Sequence, residues 1–284
     1  MGVTLPQLRA LVTVVDRASF TDAAAQLGVS QSAVSHAISG LEREVGGRVL
    51  QRDGGVTLTV LGRRVLDHAR AALASVTALE SAVKQNGALS GVVRLGAVAT
   101  VCQGLLPDLM PLWAARLPNV EVQIYEGDDD EMPEWLEGGV VEAAILVEPE
   151  PMPAGGKLVA TDEFAAVLRC DHPLADLDGI PLAELQTDGL IVGSPGGCEG
   201  YVKRMYEDEG LEYAFSHRVR EMTTLFRMVE QGLGVAIVPT LGRTMLPDGL
   251  LMKSLAKPRP RRLVLSGPTS RPWHPLAQAL VDAL

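Results

Sequence analysis

Apolar residues recur at helical spacing in three short stretches near the start of the chain. In the first, which follows Pro6, they are Leu8, Leu11, Val12 and Val15. The second stretch runs from Thr21, a candidate N-cap, to Gly28, which suits the end of a helix. Ser30 is a candidate cap for the third stretch. The pattern predicts three helices joined by tight turns.

The third predicted helix has one stripe that faces inward. The stripe consists of Val34, Ile38, Leu41 and Val45. Small Ala24 permits a close crossing with the second helix, and Gly28 tolerates a left-handed turn between the two. Two helices joined in this way form a helix-turn-helix.

The opposite face of the third helix carries small hydrogen-bonding side chains. They are Gln31, Ser32, Ser35, His36 and Ser39. Such a face suits a helix that enters the major groove of DNA, where Gln pairs with adenine and Ser reaches several base edges. The alternative is a solvated polar face on an ordinary three-helix bundle.

A β-wing is predicted directly after this helix. Residues 48–62 resemble two short strands around Asp53-Gly54-Gly55, which is a hairpin turn signal. Arg52 then lies on the wing, where a cation meets the phosphate backbone. The wing favours DNA binding over the plain bundle.

One ordered series of residues spans this whole region. It comprises Ser19-Phe20-Thr21, Ala23-Ala24, Leu27, Val29-Ser30-Gln31-Ser32-Ala33-Val34-Ser35, Leu41-Glu42, Gly46, Arg52, Leu58-Thr59 and Gly62. The series resembles the winged helix-turn-helix of the LysR-type transcriptional regulators. His36, Leu50-Gln51 and Val60-Leu61 depart from that pattern. The resemblance implies a sequence-specific regulator that binds double-stranded DNA.

A long helix is predicted from Thr59 to about Asn86. Its apolar positions alternate in steps of four and three, at Leu61, Val65, Ala69, Ala72, Val76, Leu79 and Val83. This heptad-like seam suits pairing with a second copy, and the alternative is a single helix on its own effector domain. The resemblance implies a dimer, which in some family members pairs into a tetramer. Two DNA-binding domains related by a two-fold axis bind the two halves of an inverted repeat.

After residues 87–91, strands and helices alternate. The strand candidates are VVRLGAV, VEVQIYEG, EAAILVE, FAAVLRC, GLIVGS, GVAIVP and RRLVLSG. The order predicts an α/β fold. We therefore expect a winged helix-turn-helix at 1–62, a linker or dimerisation helix with its hinge at 63–90, and an effector-binding domain at 91–284.

This last segment resembles the effector-binding domain of the same family. Matching positions include Gly96, Pro107, Pro118, Gly138-Gly139, His172-Pro173-Leu174 and Gly232–Pro239. The resemblance implies the two-lobed fold of type 2 periplasmic binding proteins. Lobe I is expected at about 91–162 and 263–284, and lobe II at about 163–262. The chain is expected to cross between lobes near Thr161–Glu163 and Lys257–Leu263.

Three turns are candidates for an effector site between the lobes. Ligands of open α/β sheets bind beyond the carboxyl ends of strands, at the N-termini of the following helices. The candidate residues in such turns are Thr100, Ser194, Gly196, Gly197, Thr223 and Thr224. Their hydroxyl and backbone N–H groups suit a small anion or carboxylate. The alternative role for the hydroxyls is helix capping.

Charge is divided unevenly along the chain. The net charge is −10, but residues 1–64 carry +2 and the remainder −12. The acidity therefore does not exclude a DNA-binding N-terminal domain. The start of the chain shows no secretory signal and no apolar run is long enough to span a membrane, so we expect a cytoplasmic protein without a membrane partner.

No enzyme, cofactor or metal motif is recognised. The three cysteines are widely spaced, and Asp128-Asp129-Asp130-Glu131 is interpreted as a solvated loop. Cys198 is considered as a redox sensor, but no second cysteine lies near it in sequence. The alternatives to a regulator are a cytoplasmic small-molecule binding protein or an enzyme without a gene-regulatory role.

Overall fold

The computed structural model of the chain describes residues 2–51, 56–83 and 89–284. Its N-terminal part contains α1 (Leu5–Arg17), α2 (Phe20–Leu27), α3 (Gln31–Val45), β1 (Leu50–Gln51), β2 (Thr57–Leu58) and α4 (Val60–Val83). This order confirms the predicted helix-turn-helix, wing and long helix.

The turn between α2 and α3 follows the predicted chemistry. Gly28 ends α2 with a φ of 66°, in the left-handed region that favours glycine. The Ser30 hydroxyl accepts a hydrogen bond from the Ala33 amide at 3.2 Å, which confirms Ser30 as the cap of α3. The predicted cap Thr21 is wrong. Ser19 caps α2 instead, since its hydroxyl accepts from the Asp22 amide at 3.2 Å.

The N-terminal core lies between α1, α3 and the start of α4. Val34, Ile38 and Leu41 of α3 are fully buried there, in contact with one cluster that also includes Leu66 of α4. Burial of an apolar side chain of this size contributes roughly 1.5–3 kcal/mol. The inward stripe therefore fixes which face of α3 remains in solvent.

The wing strands pair antiparallel, with Leu50 opposite Leu58. Arg52 and the predicted turn residues Asp53-Gly54-Gly55 lie outside the described residues. Gly62 marks where α4 passes the residue before the first wing strand, because a Cβ added there would lie 1.9 Å from the Val49 carbonyl oxygen. Only glycine fits this approach.

The C-terminal part alternates strands and helices as predicted. Its elements are β3 (Gly91–Ala97), α5 (Ala99–Gly104), α6 (Leu106–Arg116), β4 (Val120–Glu126), α7 (Glu131–Glu137), β5 (Ala143–Val147), β6 (Lys157–Arg169), α8 (Leu182–Leu185), β7 (Leu190–Val192), a helical turn (Pro195–Glu199), α9 (Gly200–Asp208), β8 (His217–Arg218), α10 (Met222–Glu230), β9 (Val235–Pro239), a 3₁₀ turn (Thr240–Met245), β10 (Leu250–Ser254), β11 (Pro260–Ser266) and α11 (Pro275–Asp282).

Two lobes share one long strand. Lobe I orders its strands β4-β3-β5-β11-β6, and lobe II orders them β10-β6-β9-β7-β8. In lobe I, β3 is parallel to β4 and β5, and in lobe II, β7 is parallel to β8 and β9. Each lobe therefore turns the carboxyl ends of a parallel group towards the other lobe.

The chain passes between the lobes along β6 and returns between β10 and β11. The predicted crossing at Thr161–Glu163 lies within β6, where Glu163 pairs with Pro260 at the start of β11. The predicted return at Lys257–Leu263 overlaps the β10–β11 connection and the first half of β11. The antiparallel strands β6 and β11 therefore connect the two lobes.

Among the described helices, none has the length and apolarity needed to cross a membrane.

Candidate functional site

The polar face of α3 is open to solvent. Gln31, Ser32, His36 and Ser39 are exposed and Ser35 is half-buried. The Ser32 hydroxyl lies 2.9 Å from that of Ser30, whereas the other four side chains form no hydrogen bond within the described part of the chain. Their donors and acceptors are therefore available to an external partner.

Basic residues lie around the wing, next to β1 and at the start of α4. Arg48 precedes β1, and Arg63 and Arg64 lie in the first turns of α4; all three are exposed. The guanidinium of Arg63 also donates to the Leu58 carbonyl at 3.4 Å. Sequence reasoning named only Arg52 and missed these cations, although their position around the predicted wing was a usable signal. Such cations suit contacts with phosphate groups.

The α4 seam divides into two parts. Ala69 was predicted to contact a second copy of the chain. It is instead buried in the N-terminal core, where it packs on the protein's own α1–α3. Nearby, Arg70 binds Asp16 of α1 at 2.5 Å. Further along, Leu79 is 64% exposed. The remaining predicted residues Leu61, Val65, Ala72 and Val76 are half-buried, and Val83 has no described side chain.

A cavity of about 300 Å³ lies between the two lobes. Lobe I contributes residues 98–100 after β3, residues from 126–131 after β4, and Val147 at the end of β5. Lobe II contributes residues from 193–201 after β7 and from 219–225 around the start of α10. The cavity is thus built at the carboxyl ends of the parallel strands, as open α/β sheets require.

Half of the predicted effector residues line this cavity. Thr100, Ser194 and Gly197 do so, and Gly196 lines a more open recess beside it. Thr223 and Thr224 are exposed and line neither of them, so the geometry of the cleft gives no support to their assignment. α10 begins at Met222, and its cavity-facing residues are Met222 and Leu225, one turn apart. Because an α-helix turns by about 100° per residue, Thr223 and Thr224 between them point away from the cavity.

Arg261 of β11 is a cavity residue that sequence reasoning missed. Its side chain is 2% exposed and binds the Asp162 carboxylate through Nε at 2.7 Å and Nη2 at 2.8 Å. It also donates to the Thr100 hydroxyl at 3.3 Å. Thr100 is therefore already engaged by the protein. The sequence did contain a signal for Arg261. It is one of two consecutive arginines at the start of an apolar strand, where the lobes were expected to join.

The acidic segment 128–131 was predicted to be a solvated loop, and this prediction is wrong. Three of its four carboxylates line the cavity. The Ser194 hydroxyl donates to Asp128 at 3.1 Å, and the Tyr201 hydroxyl donates to Asp129 at 2.6 Å. Glu131 accepts from the Asp128 amide at 2.8 Å. The first two bonds join lobe I to lobe II, which explains why the loop folds inward.

Burial changes the protonation of several cavity groups. It raises the pKa of Asp129, and the hydrogen bond from Tyr201 opposes this only in part. Burial also raises the pKa of the Cys198 thiol to about 11, although Arg261 acts in the opposite direction. Cys198 is therefore a neutral thiol near neutral pH. Across the described residues, no cluster of side chains has the composition of a metal site.

Family models match both parts of the chain. The model described as "Bacterial regulatory helix-turn-helix protein, lysR family" matches residues 5–63, and "LysR substrate binding domain" matches residues 86–284. Together they cover most of the sequence.

Individual proteins agree with this match. An uncharacterised HTH-type transcriptional regulator, YvbU of Bacillus subtilis (strain 168), is 32% identical over 86% of this chain and 84% of its own. A probable hydrogen peroxide-inducible genes activator of Streptomyces viridosporus is 32% identical over 99% of this chain and 94% of its own.

Solved structures share the architecture. A full-length OxyR variant from Pseudomonas aeruginosa aligns with a TM-score of 0.79 at 23% identity, over 100% of this chain and 95% of that one. A likeness at this identity concerns the fold. With the helix-turn-helix, the two-lobed domain and the matches to both halves, the chain belongs to the LysR family of DNA-binding transcriptional regulators.

Proposed function

We propose that this protein is a dimeric regulator that reads an inverted-repeat operator with α3 and senses a small molecule in the cleft between its lobes. The observation that carries the proposal is the cavity of about 300 Å³ at the strand ends of both lobes. A volume of this size lies at the lower end of small-molecule sites. Association of two dimers into a tetramer is compatible with this arrangement.

Operator reading is assigned to the open face of α3. Gln31, with Ser32, Ser35, His36 and Ser39, supplies hydrogen bonds to base edges. Arg52, together with the exposed Arg48, supplies phosphate contacts that fix the register. Pairing of two chains through the outer part of the α4 seam, near Val76 and Leu79, sets the spacing of two such faces.

Sensing follows from the position of the cavity. The lobes are joined by β6 and the β10–β11 connection, and the bonds Ser194 to Asp128 and Tyr201 to Asp129 cross the cleft. A ligand that touches both lobes replaces or strengthens these bonds, so its affinity depends on the lobe arrangement. If the ligand binds the DNA-bound and the DNA-free protein with different affinities, it changes DNA affinity by that same factor, because coupling is reciprocal.

Peroxide sensing is the second candidate, since one relative is named a probable hydrogen peroxide-inducible genes activator. Oxidation of cysteine requires the thiolate. The burial that raises the Cys198 pKa to about 11 keeps this form scarce. The structure of the cleft therefore supports ligand binding better than oxidation of Cys198.

Selection of DNA by the purified full-length chain tests the proposal. Fragments retained from a random library are expected to share a two-fold motif with half-sites about 10 base pairs apart. Compounds are then screened for a change in affinity for that motif. Ser194→Ala is expected to reduce the response to an active compound while basal binding persists. Recovery of no shared motif would refute operator reading.

A further inference from the structure

We propose that the effector is a small organic cation, with an ammonium or guanidinium head held by the cleft carboxylates and an apolar part against the opposite wall. This inference rests on the proposed function, since it names the ligand class of the same cavity. It replaces the expectation of an anion that the turn hydroxyls suggested.

The charges that line the cavity are mostly negative. Its carboxylates belong to Glu126, Asp128, Asp129, Glu131 and Glu221, and its guanidinium groups to Arg220 and Arg261. An anion placed among them would meet repulsion from more groups than could bind it. A cation is attracted by the same set, most strongly at the half-buried Asp128, Asp129 and Glu131, where solvent screens charge less than in bulk water.

The charge of Arg261 is already used. Two hydrogen bonds join it to Asp162, and the two side chains are only 2% and 5% exposed. Releasing this pair to bind an anion would leave a buried carboxylate without a cation, which is strongly destabilising. Arg261 therefore positions Thr100 and the strand end, and contributes little net charge to a ligand.

Arg220 does not neutralise the cavity either. Its side chain is 79% exposed, and its nearest carboxylate, Asp128, is 4.0 Å away. Exposed pairs at this distance contribute little. This is the single ion pair that the cavity carboxylates form within the described part of the chain.

The carboxylates are instead bound by neutral donors. Asp128 accepts from the Ser194 hydroxyl, Asp129 from the Tyr201 hydroxyl, and Glu131 from a backbone amide. These bonds orient the oxygen atoms without cancelling their charge. Each carboxylate has further acceptor positions, which a multi-donor ammonium or guanidinium group fills. Asp128 and Asp129 approach lobe II directly, so a cation bound to them contacts both lobes.

The rest of the wall is apolar. Val98, Val147, Val219, Met222, Leu225 and Ile237 line it from both lobes. A bare metal ion would leave this surface unused, and no metal cluster occurs among the described residues. The combination of an acidic side and an apolar side in about 300 Å³ fits an amphipathic amine.

The ionisation of Asp129 agrees with this geometry. Burial raises its pKa, and the opposing effects of the Tyr201 hydrogen bond and of the Arg261 charge offset this only in part. A bound ammonium group would restore the carboxylate and release the proton. Cation affinity should therefore decrease as the pH falls through the pKa of Asp129.

Three probes with six carbon atoms each separate charge from apolar contact. Full-length protein is titrated with hexylammonium, hexan-1-ol and hexanoate at constant ionic strength, with thermal unfolding and calorimetry as readouts. Hexylammonium is expected to raise the Tm in a saturable manner. Hexanol should bind more weakly and hexanoate should give no stabilisation. Asp128→Asn should weaken hexylammonium binding by about tenfold or more.

Asp176→Asn is the matched control, since it removes the same charge at an exposed site outside the cavity. It should leave hexylammonium affinity unchanged. Preference for hexanoate, absence of hexylammonium binding, or equal binding to wild type and Asp128→Asn would each overturn the cation assignment. Stronger, Asp128-dependent stabilisation by Ca²⁺ would overturn it in favour of an inorganic ion.

Operator affinity measured on the same preparation separates this inference from the proposed function. If hexanoate binds in the cleft and changes operator affinity, the sensing role stands and the cation assignment fails. If hexylammonium binds through Asp128 but no cleft ligand alters operator affinity, the ligand class stands and the regulatory coupling fails.

Discussion

The α3 face and the inter-lobe cleft use polar side chains in opposite ways. On α3 the residues Gln31, His36 and Ser39 come from one helix, and their side chains are uncommitted. In the cleft, Thr100 comes from one turn and Asp128 and Asp129 from another; Thr100 is bonded to Arg261, and the two aspartates are bonded to residues of the other lobe. The α3 side chains are free to bind a partner without breaking any bond. In the cleft, a ligand must replace hydrogen bonds that the protein already makes.

This contrast has an energetic consequence. A side chain that is exposed and unbonded can be removed with little effect on folding, usually within about 0.5 kcal/mol. A buried, bonded side chain cannot. Substitutions on α3 should therefore change recognition alone, while those in the cleft should change stability and recognition together.

The largest effect is expected for Arg261→Met. The substitution leaves Asp162, 5% exposed, without its cation, and breaking a buried pair in this way costs roughly 3–5 kcal/mol. Urea unfolding of the full chain measures the loss. Arg262→Met is the neighbouring control, since that side chain is 44% exposed and its pairing with Glu148 should contribute at most about 1 kcal/mol. Equal losses for the two variants would contradict the buried-pair argument.

The next effect tests the outer part of the α4 seam. Val76→Asp combined with Leu79→Asp places like charges across the proposed two-fold contact and is expected to give monomers. Loss of the second DNA-binding domain should lower operator affinity by about a hundredfold or more. Sedimentation gives the oligomeric state. The control is Ser75→Asp with Thr77→Asp, on exposed positions away from the seam. Dimers that persist in the first variant would mean that α4 does not mediate pairing.

Gln31→Ala should produce a smaller and more selective change. Removal of the amide is expected to relax preference at one base pair by about 1–3 kcal/mol, while stability stays within about 0.5 kcal/mol. Arg48→Ala is the companion variant, and as a phosphate contact it should weaken specific and random DNA alike. Selection with both variants distinguishes base reading from backbone contact. A uniform loss for Gln31→Ala would remove it from base reading.

The same contrast explains what the sequence could predict. The α3 face depends on local periodicity and on caps such as Ser30 and Gly28, so the helix, its turn and its exposed residues follow from spacing. The seven strand candidates were also recognisable as short β-branched runs. The brief strands β8 and β10 and the first half of β6 were missed, because β8 is two polar residues and the apolar runs of the other two are only three residues long.

The cleft could be predicted only in part, since it depends on residues distant in sequence. Thr100 and Ser194 were found from strand-end turns. Arg261 was missed because its partner Asp162 is 99 residues away. The acidic segment 128–131 was misinterpreted because a run of carboxylates is usually solvated, and only the contacts of Asp128 and Asp129 across the lobes turn it inward.

Asp129→Asn is expected to give the smallest effect and the most informative pH dependence. Burial raises the pKa of Asp129 in the folded protein above its unfolded value. The folded state therefore holds a proton that the unfolded chain has released, and wild-type stability falls as the pH rises between the two values. Asparagine avoids this cost and still accepts the Tyr201 hydrogen bond. The variant should be more stable than wild type near neutral pH, with the advantage shrinking as the pH falls towards about 4. Urea unfolding across this pH range measures the difference, with Asp176→Asn as the exposed comparison. A difference that does not vary with pH would mean that solvent reaches Asp129 freely, and the cleft would then resemble the α3 face.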